Sequence, residues 1–277
     1  MGIKKIRIGS VIKYVFLAVV AIVSVYPVIW TLVNSFRTNT QILSEFRLFP
    51  EQFDFSSYLI LLKGKSIMVA FLNSVLVTGG TMILTGLFSM MAAFLLSSYK
   101  FRGGVFIYML FSFGIFIPGA TTMGMIYKLL QNLHLLGSRT GVVLIYTSGK
   151  MALSIFLLIS FMRTIPDSVK EAALLDGCSP WQLFSKIIVP LTRNGLMIVL
   201  ILTFINVWND YIWSMIMLPS ASKRTLTVAL AFFKGEFFTD YGLLSASVVL
   251  GLLPIIVVYT FIQDKIINGM SAAAVKG

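Results

Sequence analysis

Long apolar runs alternate with short polar segments along the whole chain. Six runs hold about 20 mainly apolar residues, the length that crosses a hydrocarbon layer about 30 Å thick as a helix. They are too long and too continuous for barrel strands, which alternate over about ten residues. The pattern therefore predicts an all-α, polytopic membrane protein with six transmembrane helices. The predicted helices lie at roughly 12–33, 70–97, 104–127, 142–162, 195–218 and 242–262.

Composition agrees with lipid as the solvent. Hydrophobic residues make up 58% of the chain and charged residues 12%, about half the charged fraction of roughly 25% in soluble domains. The net charge of +12 fits basic segments beside anionic lipid and needs no nucleic acid to explain it. We expect residues 1–277 to form a single transmembrane domain.

The basic residues also indicate an orientation. With six spans, both termini lie on one side of the membrane. Placing the N-terminus in the cytoplasm gives the inside segments more Lys and Arg than the outside segments, which is the bias of cytoplasmic loops. The sequence therefore predicts that both termini are cytoplasmic.

The predicted inside loop 163–194 is more closely specified than a simple tether. Ser168 and Glu171 fit a capping box, Gly177 fits a left-handed helix end, and 179–182 fits a second capping box. The pattern predicts two short helices that meet at a glycine corner and carry an apolar face. Such a face could dock in a groove of a partner protein, or it could lie on the membrane as an amphipathic helix.

The same loop carries a longer motif. It reads E-A-A, three residues, G, nine residues, I, two residues, P, from Glu171 to Pro190. This spacing resembles the cytoplasmic loop of binding-protein-dependent ABC importer permeases, although Val189 stands where that family usually has Leu. Weaker matches elsewhere resemble the carbohydrate-uptake branch, in particular the six-helix second permease of the maltose transporter. These matches are Asn34–Arg37, Asn73–Ser74, Phe101–Gly103, Ile117–Pro118, Trp208–Asp210 and Ala274–Gly277.

The resemblance implies a non-catalytic permease subunit of a carbohydrate importer, most naturally for oligosaccharides, in a bacterial plasma membrane. It implies a homologous second permease, a cytoplasmic ATPase dimer and an extracytoplasmic solute-binding protein as partners. ATP and Mg²⁺ would be bound by the ATPase, and this chain would hold no cofactor. Glu171 would face a basic residue of the ATPase. The coupling residues implied are Glu171, Ala172, Ala173, Asp176, Gly177, Ile187 and Pro190.

Two ionisable residues fall within predicted spans, and such groups are functional candidates because burying them in lipid is costly. Asp210 is at a spacing that places it on one helix face with polar and indole groups suited to sugars. Lys150 could pair with Asp210, reach the membrane surface, or meet an acidic sugar. Asp210 could instead belong to a structural pair. The possible translocation path comprises Asn206, Asn209, Asp210, Trp213 and Lys150.

Three alternative functions fit parts of this pattern. A permease for glycerol phosphate or an acidic sugar remains open, whereas a secondary transporter usually shows internal repeats and charged relays. A scaffold without transport leaves the patterned loop unexplained. Gly64–Ser66 resembles the end of a phosphate-binding loop, but Leu59 stands where that motif needs glycine. With one histidine, His134, the sequence predicts no metal site and no catalytic group.

Overall fold

The computed structural model describes residues 8–44, 49–50, 52–232 and 240–274. These residues form helices and turns without a strand among them, which confirms the all-α class. The α-helices are α1 (Ile8–Asn34), α2 (Asn39–Ser44), α3 (Ser56–Lys63), α4 (Lys65–Ser98), α5 (Gly104–Gly114), α6 (Gly119–Asn132), α7 (Arg139–Met162), α8 (Asp167–Leu175), α9 (Pro180–Gln182), α10 (Val189–Leu191), α11 (Arg193–Trp208), α12 (Ile212–Met217), α13 (Leu226–Ala231) and α14 (Tyr241–Ala274). A π-helical segment, Leu183–Ile188, joins α9 to α10, and a 3₁₀ turn forms at Ala221–Lys223.

Within the described ranges, four helices are long and apolar enough to cross a membrane. They are Ile12–Asn34, Ser66–Ser98, Arg139–Met162 and Tyr241–Thr260. Two further apolar stretches are broken: α5 and α6 are bent by 104°, and Pro180–Leu191 and α11 are bent by 74°. If each bent pair is one span, the count reaches six, the number predicted from the sequence.

The predicted helix 104–127 is interrupted. Its first part, α5, ends at Gly114, and α6 begins at Gly119. Pro118 precedes α6 with an extended ψ of 125°. Proline lacks an amide hydrogen and disfavours helical backbone in the residue before it, so one continuous helix is not formed.

The predicted helix 195–218 is interrupted as well. Helix α11 ends at Trp208, and α12 begins at Ile212. Between them, Asp210 Oδ1 accepts a hydrogen bond from the backbone N–H of Ser214 at 3.0 Å. A short acidic side chain that satisfies an N-terminal donor favours a new helix start over continuation of the old helix.

The chain divides into two compact units, Met1–Ile67 with Leu230–Ile256 and Met68–Ala229 with Val257–Gly277. The single domain expected over 1–277 stays a prediction. In the first unit, Phe36 packs against Phe53, Phe55 and Tyr58 with ring centroids 5.3–5.8 Å apart. These aromatic contacts hold the segment after α1 against α3.

Tight local contacts fix where two helices of the first unit begin. The Ser56 N–H donates to Asp54 Oδ1 at 2.6 Å, and this hydrogen bond to the carboxylate lowers the pKa of Asp54 below its usual value. At the start of α14, a Cβ on Gly242 would lie 2.4 Å from the Arg37 carbonyl oxygen. Only glycine fits there without a shift of the backbone.

The second unit has a core in which membrane helices and the 163–194 loop share side chains. α7 also packs closely on α11, where a Cβ on Gly195 would lie 2.6 Å from the Phe161 ring. The buried members of this core are Met90, Ala93, Phe94, Ile155, Leu158, Ile159, Met162, Ile165, Ala173, Leu183, Phe184, Ile188 and Val199. The loop is therefore anchored to α4, α7 and α11.

Helix α1 exposes apolar side chains along most of its length. Large residues between Ile12 and Leu32 are typically 44–70% exposed in the isolated chain. In water this would be an unstable surface, but it suits contact with lipid or with another membrane chain.

Candidate functional site

The first helix of the loop begins two residues earlier than a Ser168 cap requires. Helix α8 starts at Asp167, after Pro166 at the N-cap position, and no side chain caps it. The predicted capping box between Ser168 and Glu171 is therefore wrong. Pro166 already has the extended conformation of an N-cap residue, so Ser168 falls inside the first turn. Asp167 instead pairs with Lys170 at 2.9 Å.

The predicted glycine corner is confirmed. Gly177 has a φ of +80°, in the left-handed region. The Cys178 N–H donates to the Ala173 carbonyl at 3.0 Å, and the Gly177 N–H donates to the Leu174 carbonyl at 3.1 Å. These two bonds form a Schellman motif, which satisfies the last carbonyl groups of α8.

The second predicted capping box is also confirmed. The Ser179 N–H donates to Gln182 Oε1 at 2.8 Å, and the Gln182 N–H donates to Ser179 Oγ at 3.3 Å. Pro180 occupies the first helical position, where its missing N–H costs nothing. The loop is thus a helix, a glycine corner and a second helix, each with a defined end.

The structure divides the predicted coupling residues into two groups. Ala173 is buried and Ile187 is half-buried, and both pack into the core shared with the membrane helices. These two positions hold the loop in place. The remaining members are exposed and free to meet a partner: Glu171, Ala172, Asp176, Gly177 and Pro190. Leu175, at 88% exposure, adds an apolar group to that exposed surface.

A cavity of about 490 Å³ lies among α5, α6, α7 and the α11–α12 break. We call it the Lys150 cavity. Its polar lining comes from Thr122, Tyr146, Ser148, Lys150, Asn206 and Asp210, and Trp213 supplies an indole. Four of the five predicted path residues therefore meet here. Its volume lies in the range of about 300–1,000 Å³ typical of small-ligand sites.

Asp210 is held by partners from two helices. Its Oδ1 accepts hydrogen bonds from the Tyr146 hydroxyl at 2.6 Å and from the Ser214 N–H at 3.0 Å. The Tyr146 hydroxyl also lies 2.9 Å from Ser214 Oγ. Asp210 thus follows the end of α11 and joins the first turn of α12 to α7. The structural role weighed for this residue is present, and the same residue lines the cavity.

Lys150 is half-buried at the cavity wall, and its Nζ donates to Asn206 Oδ1 at 3.3 Å. Asn206 is fixed in turn because its Nδ2 donates to the Leu202 carbonyl at 2.8 Å. A second cavity of about 210 Å³ shares Lys150, Asn206 and Gly149 with the first. The lysine–asparagine contact therefore stands between two open volumes.

Asn209 is the predicted path residue that the cavity does not include. Its Nδ2 donates to the Ile205 carbonyl at 2.9 Å, and its side chain is exposed. A shared face for Asn206, Asn209, Asp210 and Trp213 requires one helix through 195–218. Because α11 ends at Trp208, the rotation per residue changes there, and Asn209 and Asp210 no longer follow one face.

Sequence reasoning missed Tyr146 and Gly149. Tyr146 lies one helical turn before Lys150 and so shares its face, which was a usable signal. Gly149 leaves part of the wall without a side chain, and a Cβ there would meet no heavy atom within 4 Å. Among the described residues, no group of three His, Cys, Asp or Glu side chains could hold a metal ion.

Comparison with known proteins finds one matching family of membrane transport components and several similar permeases. The family described as "Binding-protein-dependent transport system inner membrane component" matches residues 83–271. A putative ABC transporter permease, ORF2, from Caldicellulosiruptor sp. is 34% identical, covering 95% of this chain and 96% of that protein. The diacetylchitobiose uptake system permease NgcG of Streptomyces coelicolor is 30% identical, covering 95% and 87%.

Two further matches extend the comparison. A probable starch degradation products permease, AmyC, from Thermoanaerobacterium thermosulfurigenes is 28% identical, covering 93% of this chain and 94% of that protein. Among solved structures, a chain of a bacterial ABC transporter that imports alginate superposes with a TM-score of 0.85. It covers 95% of this chain and 98% of its own length at 24% identity, a likeness that shows the fold.

Proposed function

The chain belongs to the family of binding-protein-dependent transport system inner membrane components, and from this premise we propose that it is one permease subunit of an ATP-driven carbohydrate importer. The family description names no substrate. The similar diacetylchitobiose and starch-product permeases support a carbohydrate substrate. Oligosaccharides are the class that these two names share. The secondary-transporter alternative gains no support.

The partners follow from the family description. A binding-protein-dependent system needs an extracytoplasmic solute-binding protein to deliver the substrate. We further propose a homologous second permease and a cytoplasmic ATPase dimer, which would bind ATP and Mg²⁺. In this arrangement the present chain performs no chemistry itself.

The loop would connect this chain to the ATPase. The observation that carries this proposal is the fixed shape of the loop, with two capped ends facing outward and Ala173 and Ile187 packed into the core of α4, α7 and α11. Glu171 would pair with a basic residue of the ATPase. A loop anchored in this way moves together with the helices that it packs against, so closure of the ATPase would shift them as a body.

The Lys150 cavity would form this chain's share of the translocation path. Part of its wall comes from α7 and α11, two of the helices that anchor the loop. Ile155, Leu158 and Met162 of α7 pack with loop residues, and Lys150 lies on the same helix about 18 Å from Met162 at 1.5 Å per residue. Movement of the loop would therefore reach the cavity through one rigid helix.

The proposed role fixes the orientation of the chain across the membrane. The coupling loop must face the cytoplasm to meet an ATPase. With an even number of spans, both termini then face the cytoplasm in a bacterial plasma membrane, as the distribution of basic residues favours.

Co-purification tests the proposal. The full chain, tagged and expressed in its own host, should bring down an ATPase subunit, a second six-helix permease and, under crosslinking, a solute-binding protein. Glu171→Ala should reduce the recovered ATPase several-fold. Asp167→Ala is the matched control on the same helix, because the Asp167 side chain is 84% exposed and an ion pair made by such a surface carboxylate is worth little. Recovery of no ATPase with the unmodified chain would contradict the importer function.

A further inference from the structure

We infer that the Lys150 cavity is a binding site for one neutral sugar unit, read by two polar layers and selective against sugar acids. The inference rests on the proposed importer function and names both the location and the charge class of the substrate within this subunit. The layers are Lys150 with Asn206, and Tyr146 with Asp210. Tyr146 and Lys150 are four residues apart on α7, so the two layers are about one turn, or roughly 6 Å, apart.

The first layer offers donors and an acceptor side by side. An ammonium group has three N–H donors, and Lys150 uses one of them on Asn206 Oδ1 at a long 3.3 Å. Asn206 Oδ1 keeps a second lone pair, because its amide nitrogen is the atom engaged with Leu202. A sugar hydroxyl both donates and accepts, so one hydroxyl can bind lysine and asparagine together.

The second layer offers an acceptor. The hydrogen bonds that fix Asp210, from Tyr146 and Ser214, both end on Oδ1. Among the described residues nothing donates to Oδ2 of this cavity-lining carboxylate. A carboxylate accepts hydrogen bonds only, so it would take a hydroxyl as donor. The two layers together match neighbouring hydroxyl groups of one sugar ring.

Apart from Thr122 and Ser148, the rest of the wall suits the apolar surface of a sugar. Trp213 is half-buried and lines the cavity, and an indole offers a flat apolar face next to its polar N–H. Gly114, Gly119 and Gly149 also line it. Without side chains at these positions, the ring would have room to lie against the indole and backbone.

The charges of the lining favour a neutral ligand. Lys150 and Asp210 carry opposite charges, so an anion entering the cavity gains attraction from one and repulsion from the other. It must also lose its hydration shell, which is far more costly for a charged group than for a hydroxyl. A neutral ring loses less on entry and can use both layers.

Direct binding tests this inference on the full-length chain in lipid nanodiscs. Saturation-transfer NMR titrations would use maltose, cellobiose and methyl β-D-glucoside as neutral probes, with methyl β-D-glucuronide as the acid that matches the last of them. We expect at least one neutral probe to bind, and the neutral glucoside to bind at least about tenfold tighter than the glucuronide. Equal or tighter binding of the acid, or no binding of any neutral probe, would overturn the inference.

Variants locate the binding. Gly149→Leu places a side chain in the open volume and should abolish the signal, whereas Gly124→Leu is a matched control. Gly124 lies outside the cavity lining, and a Cβ there also meets no heavy atom within 4 Å. Lys150→Met should weaken binding at least about tenfold, as expected for loss of a hydrogen bond to a charged group, and Lys150→Arg should restore part of it. Unchanged binding in Gly149→Leu would place the sugar elsewhere.

The two proposals can fail separately. If an ATPase and a second permease co-purify with the chain but the neutral probes do not bind it, the importer function stands and the sugar site lies in another subunit. If the probes bind but no ATPase is recovered, the cavity is a sugar site and the importer assignment fails.

Discussion

At the scale of single residues, Asp210 is the side chain with the most consequences. One carboxylate oxygen accepts from a tyrosine on α7 and from the first turn of α12, and the same residue lines the Lys150 cavity. Removing the Tyr146 hydroxyl would deprive this carboxylate of a hydrogen bond inside a membrane protein, where an unsatisfied charged group is costly. The structural and functional readings of this residue therefore do not exclude each other.

Tyr146→Phe should measure that connection. The ring can stay in place while the hydroxyl that bonds Asp210 and Ser214 is lost, so we expect a destabilisation of about 1–3 kcal/mol. Thermal unfolding of the purified chain in detergent is the measurement. Tyr127→Phe, at an exposed position on α6, is the control. A Tyr146→Phe protein as stable as the control would show that the Tyr146 hydroxyl contributes nothing to the stability of the fold.

Gly177 allows a test of backbone conformation alone. A Cβ at this position meets no atom within 4 Å, but its φ is +80°. Gly177→Ala should therefore destabilise the loop by about 1–2 kcal/mol through the left-handed backbone. Gly177→Asn should cost less, because Asn tolerates this region better. Hydrogen exchange of the 167–191 amides would report the difference, and equal exchange in both variants would argue against a conformational cause.

At the scale of elements, the loop owes its shape to the ends of its helices. The Ser179 box and the Gly177 corner follow directly from local residue choice, and both appear where the sequence places them. The start of α8 does not, because Pro166 takes the N-cap position before Ser168 can. Competing local signals only one or two residues apart are difficult to rank without coordinates.

The two serines of the loop provide a paired test. Ser179→Ala removes a side chain that caps a helix and should cost about 1 kcal/mol. Ser168→Ala lies inside the first turn of α8 and should change stability by less than about 0.5 kcal/mol. Chemical denaturation of the purified chain, compared between the two variants, is the measurement. A larger loss of stability in Ser168→Ala than in Ser179→Ala would contradict Pro166 as the N-cap of α8 and favour the capping box predicted between Ser168 and Glu171.

The spans illustrate what a sequence can and cannot predict. Their existence follows from length and apolarity, and the bounds of α7 differ from the predicted 142–162 by three residues at one end. Pro118 predicts a kink within its span, and the structure has a full break there. The break at Asp210 was not predicted, since an apolar run does not show where a helix stops. Residues 206, 210 and 213 line the cavity as their spacing predicts, whereas Asn209 does not.

At the scale of the whole molecule, the isolated chain exposes two apolar surfaces. The described part of α1 exposes apolar side chains along most of its length, and the loop exposes Leu175 and Trp181 at 88% and 62%. The first surface suits lipid or a second membrane chain, and the second suits a protein partner outside the bilayer. Both fit a subunit that works within an assembly.

Within the second unit, one core links the two candidate sites. Ala173 and Ile188 of the loop pack with Leu158 of α7 and Val199 of α11, and the same two helices carry Lys150 and Asn206. A displacement of the loop can therefore alter the cavity without any other moving part. This is the physical content of coupling in the proposed importer.

The central claim is that ATP hydrolysis by a partner drives sugar through this chain by way of the loop. The most direct measurement is ATP hydrolysis by the complete complex in liposomes, with and without solute-binding protein loaded from a panel of sugars. One loaded binding protein should stimulate hydrolysis, and Glu171→Ala should lose that stimulation at least about tenfold while Asp167→Ala keeps it, since only Glu171 would contact the ATPase. Hydrolysis that no loaded binding protein stimulates, or equal stimulation in both variants, would contradict the account.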